Sequence, residues 1–114
     1  MKRTLAMLAV STLSLTAVPA FAAGDIEAGK TKAIVCQACH GVDGNSIDPQ
    51  YPRLAGQYRD YLQRALHEYR DGGRSNAIML GFAKPLTDQE IEDLAAYFAA
   101  LPGKLSTLDG KLGK

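Results

Sequence analysis

Cys36-Gln37-Ala38-Cys39-His40 contains both cysteines of the chain and one of its two histidines. On a helix, positions i, i+3 and i+4 share one face. Two thiols and an imidazole are therefore presented to a single ligand. Thiols at this spacing can add to the two vinyl groups along one edge of a porphyrin while the imidazole reaches the iron, which is the pattern of covalent haem attachment. Other chemistries use the same residue types. A thioredoxin-like redox pair requires alternating strands and helices, a pattern the sequence lacks. Zinc wants four ligands, and only His67 remains to join these three. A structural disulfide is common in small exported domains. The histidine that follows directly, together with an export signal, favours haem.

Haem iron has two axial positions, and His40 suits one. The leader described below contains Met1 and Met7, so Met79 is the only methionine of the remaining chain, and His67 the only other histidine. At about 100° per residue, His67 falls opposite the apolar face formed by Tyr58, Leu62 and Ala65. It is expected to face water. Met79 lies in Ser75-Asn76-Ala77-Ile78-Met79-Leu80, which reads as an irregular segment between helices. From there a thioether can be laid across the face opposite His40; the alternatives are His67, water or an open site. A Met/His pair raises the reduction potential relative to two nitrogen ligands. A ligating histidine also needs an acceptor for its other ring N–H. Tyr51-Pro52-Arg53-Leu54 follows the attachment segment, and the Pro52 carbonyl is one such acceptor, a simple turn proline being the alternative.

Three helical segments stand out as the elements that must position these groups. The first is expected over Ile26 to Cys39, N-capped by Asp25, with Ile26, Gly29, Ala33, Cys36 and His40 on one stripe. Gly29 costs about 1 kcal/mol relative to alanine in a helix interior, so a close packing contact is expected there. The second runs from Gln57 to Arg70, with Tyr58, Tyr61, Leu62, Ala65, Leu66 and Tyr69 on its apolar face and Gly72-Gly73 as its stop. The third begins with a capping box, Thr87 with Glu90, and a hydrophobic staple, Leu86 with Ile91. It buries Ile91, Leu94, Ala95, Phe98 and Leu101 and ends at Pro102-Gly103. Residues 41–49 are dense in turn formers and read as a loop. No strand pattern, internal repeat or low-complexity stretch is found, so the fold class is all-α.

Residues 1–22 read as a cleaved signal peptide. Lys2 and Arg3 precede an apolar run from Leu5 to Val18, and Ala20-Phe21-Ala22 is a small-x-small cleavage site. The run is too short to span a membrane comfortably. Its bacterial character points to the periplasm. Residues 23–103 then form one small domain, followed by a polar tail at 104–114. Removing Lys2 and Arg3 leaves 11 basic against 12 acidic residues, which does not suit a nucleic-acid binder. A domain of this size buries little apolar surface and often needs a staple, a role a covalent haem would fill.

Taken together, Cys36-Gln37-Ala38-Cys39-His40-Gly41, Tyr51-Pro52-Arg53-Leu54-Ala55-Gly56-Gln57, Tyr61-Leu62, Met79, Leu86-Thr87-Asp88-Gln89-Glu90-Ile91 and Asp93-Leu94-Ala95-Ala96-Tyr97-Phe98 resemble the class I c-type cytochromes. The likeness is to the small bacterial type, seen in single-haem carriers and in each half of cytochrome c4, and it covers nearly all of residues 24–101. The resemblance implies three main helices and loops around one covalent haem c. It implies Cys36 and Cys39 as thioether links, His40 and Met79 as axial ligands, and Pro52 as acceptor for His40 Nδ1. It also implies that Gly29 packs against the last helix near Tyr97. Gln57, Tyr61, Arg53, Arg59 and Arg74 are candidates for the haem propionates by residue type. Unlike cytochrome c4, the sequence has no second attachment motif, so one haem is expected.

The function implied is single-electron transfer with transiently docked redox proteins, through the haem edge near Cys36 and Cys39. Arginines 53, 59, 64, 70 and 74 form one possible docking patch. The rivals are a haem subunit held permanently in a larger oxidoreductase, and a peroxidase or gas sensor with an open sixth site.

Overall fold

The computed structural model describes residues 23–104. The expected signal peptide and all of the expected tail beyond Lys104 lie outside them. Five helices follow one another: α1 (Ile26–Lys32), α2 (Ile34–His40), α3 (Arg59–Asp71), α4 (Ala77–Ala83) and α5 (Asp88–Ala100). No strand occurs among the described residues, and the fold is all-α.

Asp25 caps α1 as its residue type suggests, its Oδ1 accepting from the N–H groups of Glu27 at 2.8 Å and Ala28 at 3.2 Å. The single helix expected over Ile26–Cys39 is instead two. At the junction the Ala33 carbonyl accepts from both Cys36 N–H, at 2.9 Å, and Gln37 N–H, at 3.1 Å. The bonding tightens locally to an i→i+3 pattern, as often happens at helix ends. Ile26 is exposed and does not join the buried stripe, whereas Gly29, Ala33 and His40 are buried.

Gly29 is where α1 crosses α5. A Cβ there would collide with the Asp93 carbonyl and lie 2.8 Å from the Tyr97 Cβ. This is the close contact expected from its cost in mid-helix. Beside it, Asp93 Oδ1 accepts from the Asp25 N–H at 2.7 Å. The core gathers at this crossing and at the packing of α3 on α5: Ala33, Leu62, Leu94, Ala95, Tyr97 and Phe98 form one buried cluster.

Helix α3 stops at Gly72, whose φ of 87° is left-handed, a conformation glycine adopts without strain. Tyr58 does not join its apolar face; it is the N-cap residue and lies exposed. Helix α4 replaces the irregular segment expected around Met79. Asn76 nucleates it, its Oδ1 accepting from Ile78 N–H at 3.1 Å and Met79 N–H at 3.0 Å. Helix α5 carries the full reciprocal capping box between Thr87 and Glu90.

The turn-rich segment after α2 is irregular but firmly held. The Gly44 carbonyl accepts from Leu54 N–H at 2.8 Å and Ala55 N–H at 3.0 Å. Buried Asn45 donates to the Pro102 carbonyl at 3.0 Å and accepts from Lys104 N–H at 3.1 Å, fastening this segment to the end of α5.

Candidate haem centre

Helix α2 presents Cys36, Cys39 and His40 to one cavity of about 280 Å³. Both cysteines are half-buried and neither is bonded to the other. Burial pushes the Cys36 thiol up from its ordinary value, and neighbouring Cys39 adds to the shift. His40 is the last residue of α2 and is 7% exposed. Its Nδ1 lies 2.8 Å from the Pro52 carbonyl oxygen. That oxygen can only accept, so Nδ1 carries the proton and neutral Nε2 keeps its lone pair for a metal. Tyr51 packs edge-on against the imidazole, with ring centroids 6.3 Å apart. Arg53 secures the Pro52 segment by donating from Nε to the Ser46 carbonyl at 3.1 Å.

Met79 lines the same cavity from α4. It gets there on a capped helix and not, as the sequence suggested, on a loop. Gln57 and Tyr61 also line it, Gln57 with its Oε1 accepting from Tyr58 N–H at 2.8 Å. Cys36, Cys39, His40, Pro52, Gln57, Tyr61 and Met79 thus line one cavity, floored by Leu94, Ala95 and Phe98 of α5. His67 does not. Its Nδ1 lies 3.0 Å from Arg70 Nη2, and the side chain is half-exposed. The fourth ligand a zinc site would need is therefore elsewhere.

The arginines divide by position. Arg53 and Arg74 line the cavity. Arg59, also expected as a propionate partner, does not; it pairs with Glu92 at 2.9 Å. The donor set suits a haem: two thiols and an oriented imidazole on α2, with a thioether on α4, around largely apolar walls. The sequence reading missed α4, the α5 floor and the surroundings of Arg74. Asn76 ahead of Ala-Ile-Met-Leu-Gly-Phe-Ala was the available signal for α4.

The family model for cytochrome c matches residues 26–102. The chain belongs to the cytochrome c family. It is 48% identical over 101 residues to cytochrome c4 of Pseudomonas aeruginosa, an alignment covering 89% of this chain and 50% of that one. Cytochrome c-554(548) of Halomonas halodenitrificans is 44% identical over 81 residues, covering 68% of this chain and 98% of that protein. Among solved structures, reduced cytochrome c4 from Pseudomonas stutzeri superposes with a TM-score of 0.69 at 47% identity, covering 73% of this chain and 48% of that one. The chain thus spans about half the length of the cytochromes c4 it matches. As a cytochrome c domain it carries covalently attached haem c, and its single attachment pentad accounts for one group.

Proposed function

We propose that this cytochrome c is a periplasmic single-electron carrier with Cys36 and Cys39 as the thioether links and His40 and Met79 as the axial ligands. The observation that carries the reading is the 2.8 Å contact between His40 Nδ1 and the Pro52 carbonyl, with Met79 lining the same cavity. The contact fixes the imidazole tautomer that binds iron through Nε2. Haem c supplies a one-electron couple between ferric and ferrous iron. Ligation by both side chains leaves no position for substrate or gas, so the centre exchanges electrons and is not an enzyme. A thioether opposite the imidazole raises the potential.

Periplasmic placement follows from the leader at 1–22, removed after Ala22, ahead of a domain at 23–103. No helix among the described residues is long and apolar enough to cross a membrane. Partners are redox proteins that dock briefly, an encounter that buries little area and relies on local charge. Two arginines contribute little to such steering, because Arg59 is neutralised by Glu92 and Arg70 by Asp88 at 2.7 Å. A permanent partner in a larger oxidoreductase is favoured by one feature: Ile34, Val42 and Ile47, outside the cavity lining, are 65%, 80% and 93% exposed. Size-exclusion of the native protein from its source separates the two readings, a free carrier eluting at the monomer position.

The ligand assignment is tested by the optical spectrum of the ferric protein. Wild type is expected to show the weak far-red band of sulfur-to-iron ligation, and Met79→Ala to lose it. A band that is absent, or that survives the substitution, refutes Met79. Carbon monoxide binding to the ferrous wild type would instead support an open-site enzyme or sensor.

A further inference from the structure

The plane of the His40 imidazole is not set by its own helix. His40 ends α2, next to Gly41 with its φ of 89°, and the outer torsion of a histidine is a broad one. Two consecutive residues of another segment meet the ring instead. The Pro52 carbonyl oxygen lies 2.8 Å from Nδ1. The half-buried Tyr51 ring stands edge-on to the imidazole, with centroids 6.3 Å apart and planes at 67°, an arrangement aromatic pairs favour. The two contacts restrain different motions. A hydrogen bond fixes where Nδ1 points, yet its donor angle opens by about 30° from linear with little loss. A ring wall resists that swing by contact. The wall is itself anchored. Tyr51 precedes a proline, which confines its backbone to extended conformations. Its N–H donates to the Asp48 carbonyl at 3.1 Å, Arg53 Nε donates to the Ser46 carbonyl at 3.1 Å, and the Leu54 N–H donates to the Gly44 carbonyl at 2.8 Å. None of these anchors belongs to α2, so the wall does not move with the helix that carries His40.

We propose that Tyr51 is a positioning residue that sets the plane of the His40 imidazole about its bond to haem iron. The inference rests on His40 binding that iron through Nε2. Groups that orient a metal ligand tune the metal through it. The plane of an axial imidazole directs the unpaired electron of low-spin ferric iron, and so decides which haem methyl groups carry the most spin density. One fixed plane gives one such distribution, and one electronic coupling to the haem edge. Tyr61 and Tyr69 also line the cavity, but from α3, and only Tyr51 stands against the imidazole.

The test is the proton NMR spectrum of the ferric holoprotein, read at the hyperfine-shifted haem methyl resonances. Tyr51→Phe keeps the ring and is expected to reproduce the wild-type order and spread of methyl shifts. Tyr51→Leu removes the flat wall and is expected to compress the spread, as the imidazole samples a range of planes. Lost stability alone does not redistribute the spin. Gly29→Ala, which strains the α1–α5 crossing away from the cavity, is therefore expected to keep the wild-type pattern. A Tyr51→Leu pattern equal to wild type overturns the proposal. So does Tyr51→Phe matching Tyr51→Leu, which would assign the role to the hydroxyl, or Gly29→Ala reproducing the Tyr51→Leu pattern. Should Tyr51→Leu yield no holoprotein, Tyr51→Ile must compress the spread, and an unchanged pattern there is equally fatal. Hyperfine-shifted ring protons of His40 read its ligation separately. Their absence overturns the ligand assignment and this proposal with it, whereas their presence beside an unchanged Tyr51→Leu pattern overturns this proposal alone.

Discussion

At the scale of single residues, the centre depends on groups whose partners are already fixed. His40 has its proton pinned on Nδ1 by a backbone carbonyl, a partner that side-chain substitution does not remove. Met79, the proposed second ligand, is the adjustable member. Replacing it with histidine offers a nitrogen from the same helical position. Met79→His is expected to abolish the far-red band and lower the midpoint potential, since two nitrogen ligands favour ferric iron more than a nitrogen and a thioether; a potentiometric titration beside wild type checks this. These residues were legible in the sequence because the pentad and the Tyr51-Pro52 segment are short, local and specific. The placement of Arg74 over Tyr61 and Tyr69 was not. These tyrosines come from α3, and only the turn after Gly72 brings the guanidinium back over them.

At the scale of elements, the α1–α5 crossing and the α5 cap give the clearest consequences. Gly29→Ala gains about 1 kcal/mol of helix propensity. It also forces a Cβ into the Asp93 carbonyl and against Tyr97, an overpacking that typically costs about 1–3 kcal/mol. Because the obstacle is backbone, the cost is expected to prevail, and denaturant unfolding should show a less stable variant. Glu90 links the same two helices. Lys32 of α1 pairs with it and the Thr87 N–H donates to it, holding its carboxyl below the ordinary value of 4.5. A carboxyl lowered in the folded state contributes stability that is present above the unfolded value and lost as pH falls through the folded one. Stability of wild type should therefore decline from about pH 4.5 downward, and Glu90→Gln should show a smaller acid-dependent loss in unfolding titrations at several pH values. The α5 boundaries were readable because the capping box is a four-residue pattern. The break at Ala33 was not, since it is a shift in hydrogen bonding within an unbroken apolar stripe. Helix α4 escaped notice because seven residues are too few to display a helical period; only Asn76 marked it.

At the scale of the whole molecule, the helices divide by what they pack on. Helices α1 and α3 both pack on α5, and α2 adjoins α1. Helix α4 packs on α3 alone among the helices, and its Ile78, Met79 and Phe82 face the cavity. Its Ile78, Leu80 and Phe82 are exposed, so the burial that usually stabilises so short a helix is scant on the protein side. A bond from Met79 to iron would be the tie that couples α4 to α2, which carries Cys36, Cys39 and His40. Cutting that tie should loosen one element and spare the rest. In the Met79→Ala holoprotein, amide hydrogen exchange is expected to accelerate within Ala77–Ala83 while the α1–α5 crossing keeps its protection, because opening of α4 need not disturb the cluster around Leu94 and Phe98. Uniform acceleration across all helices would mean that α4 is integral to the main core. Unchanged exchange in α4 would mean that α3 and the Asn76 cap suffice to hold it, and that Met79 is not its anchor.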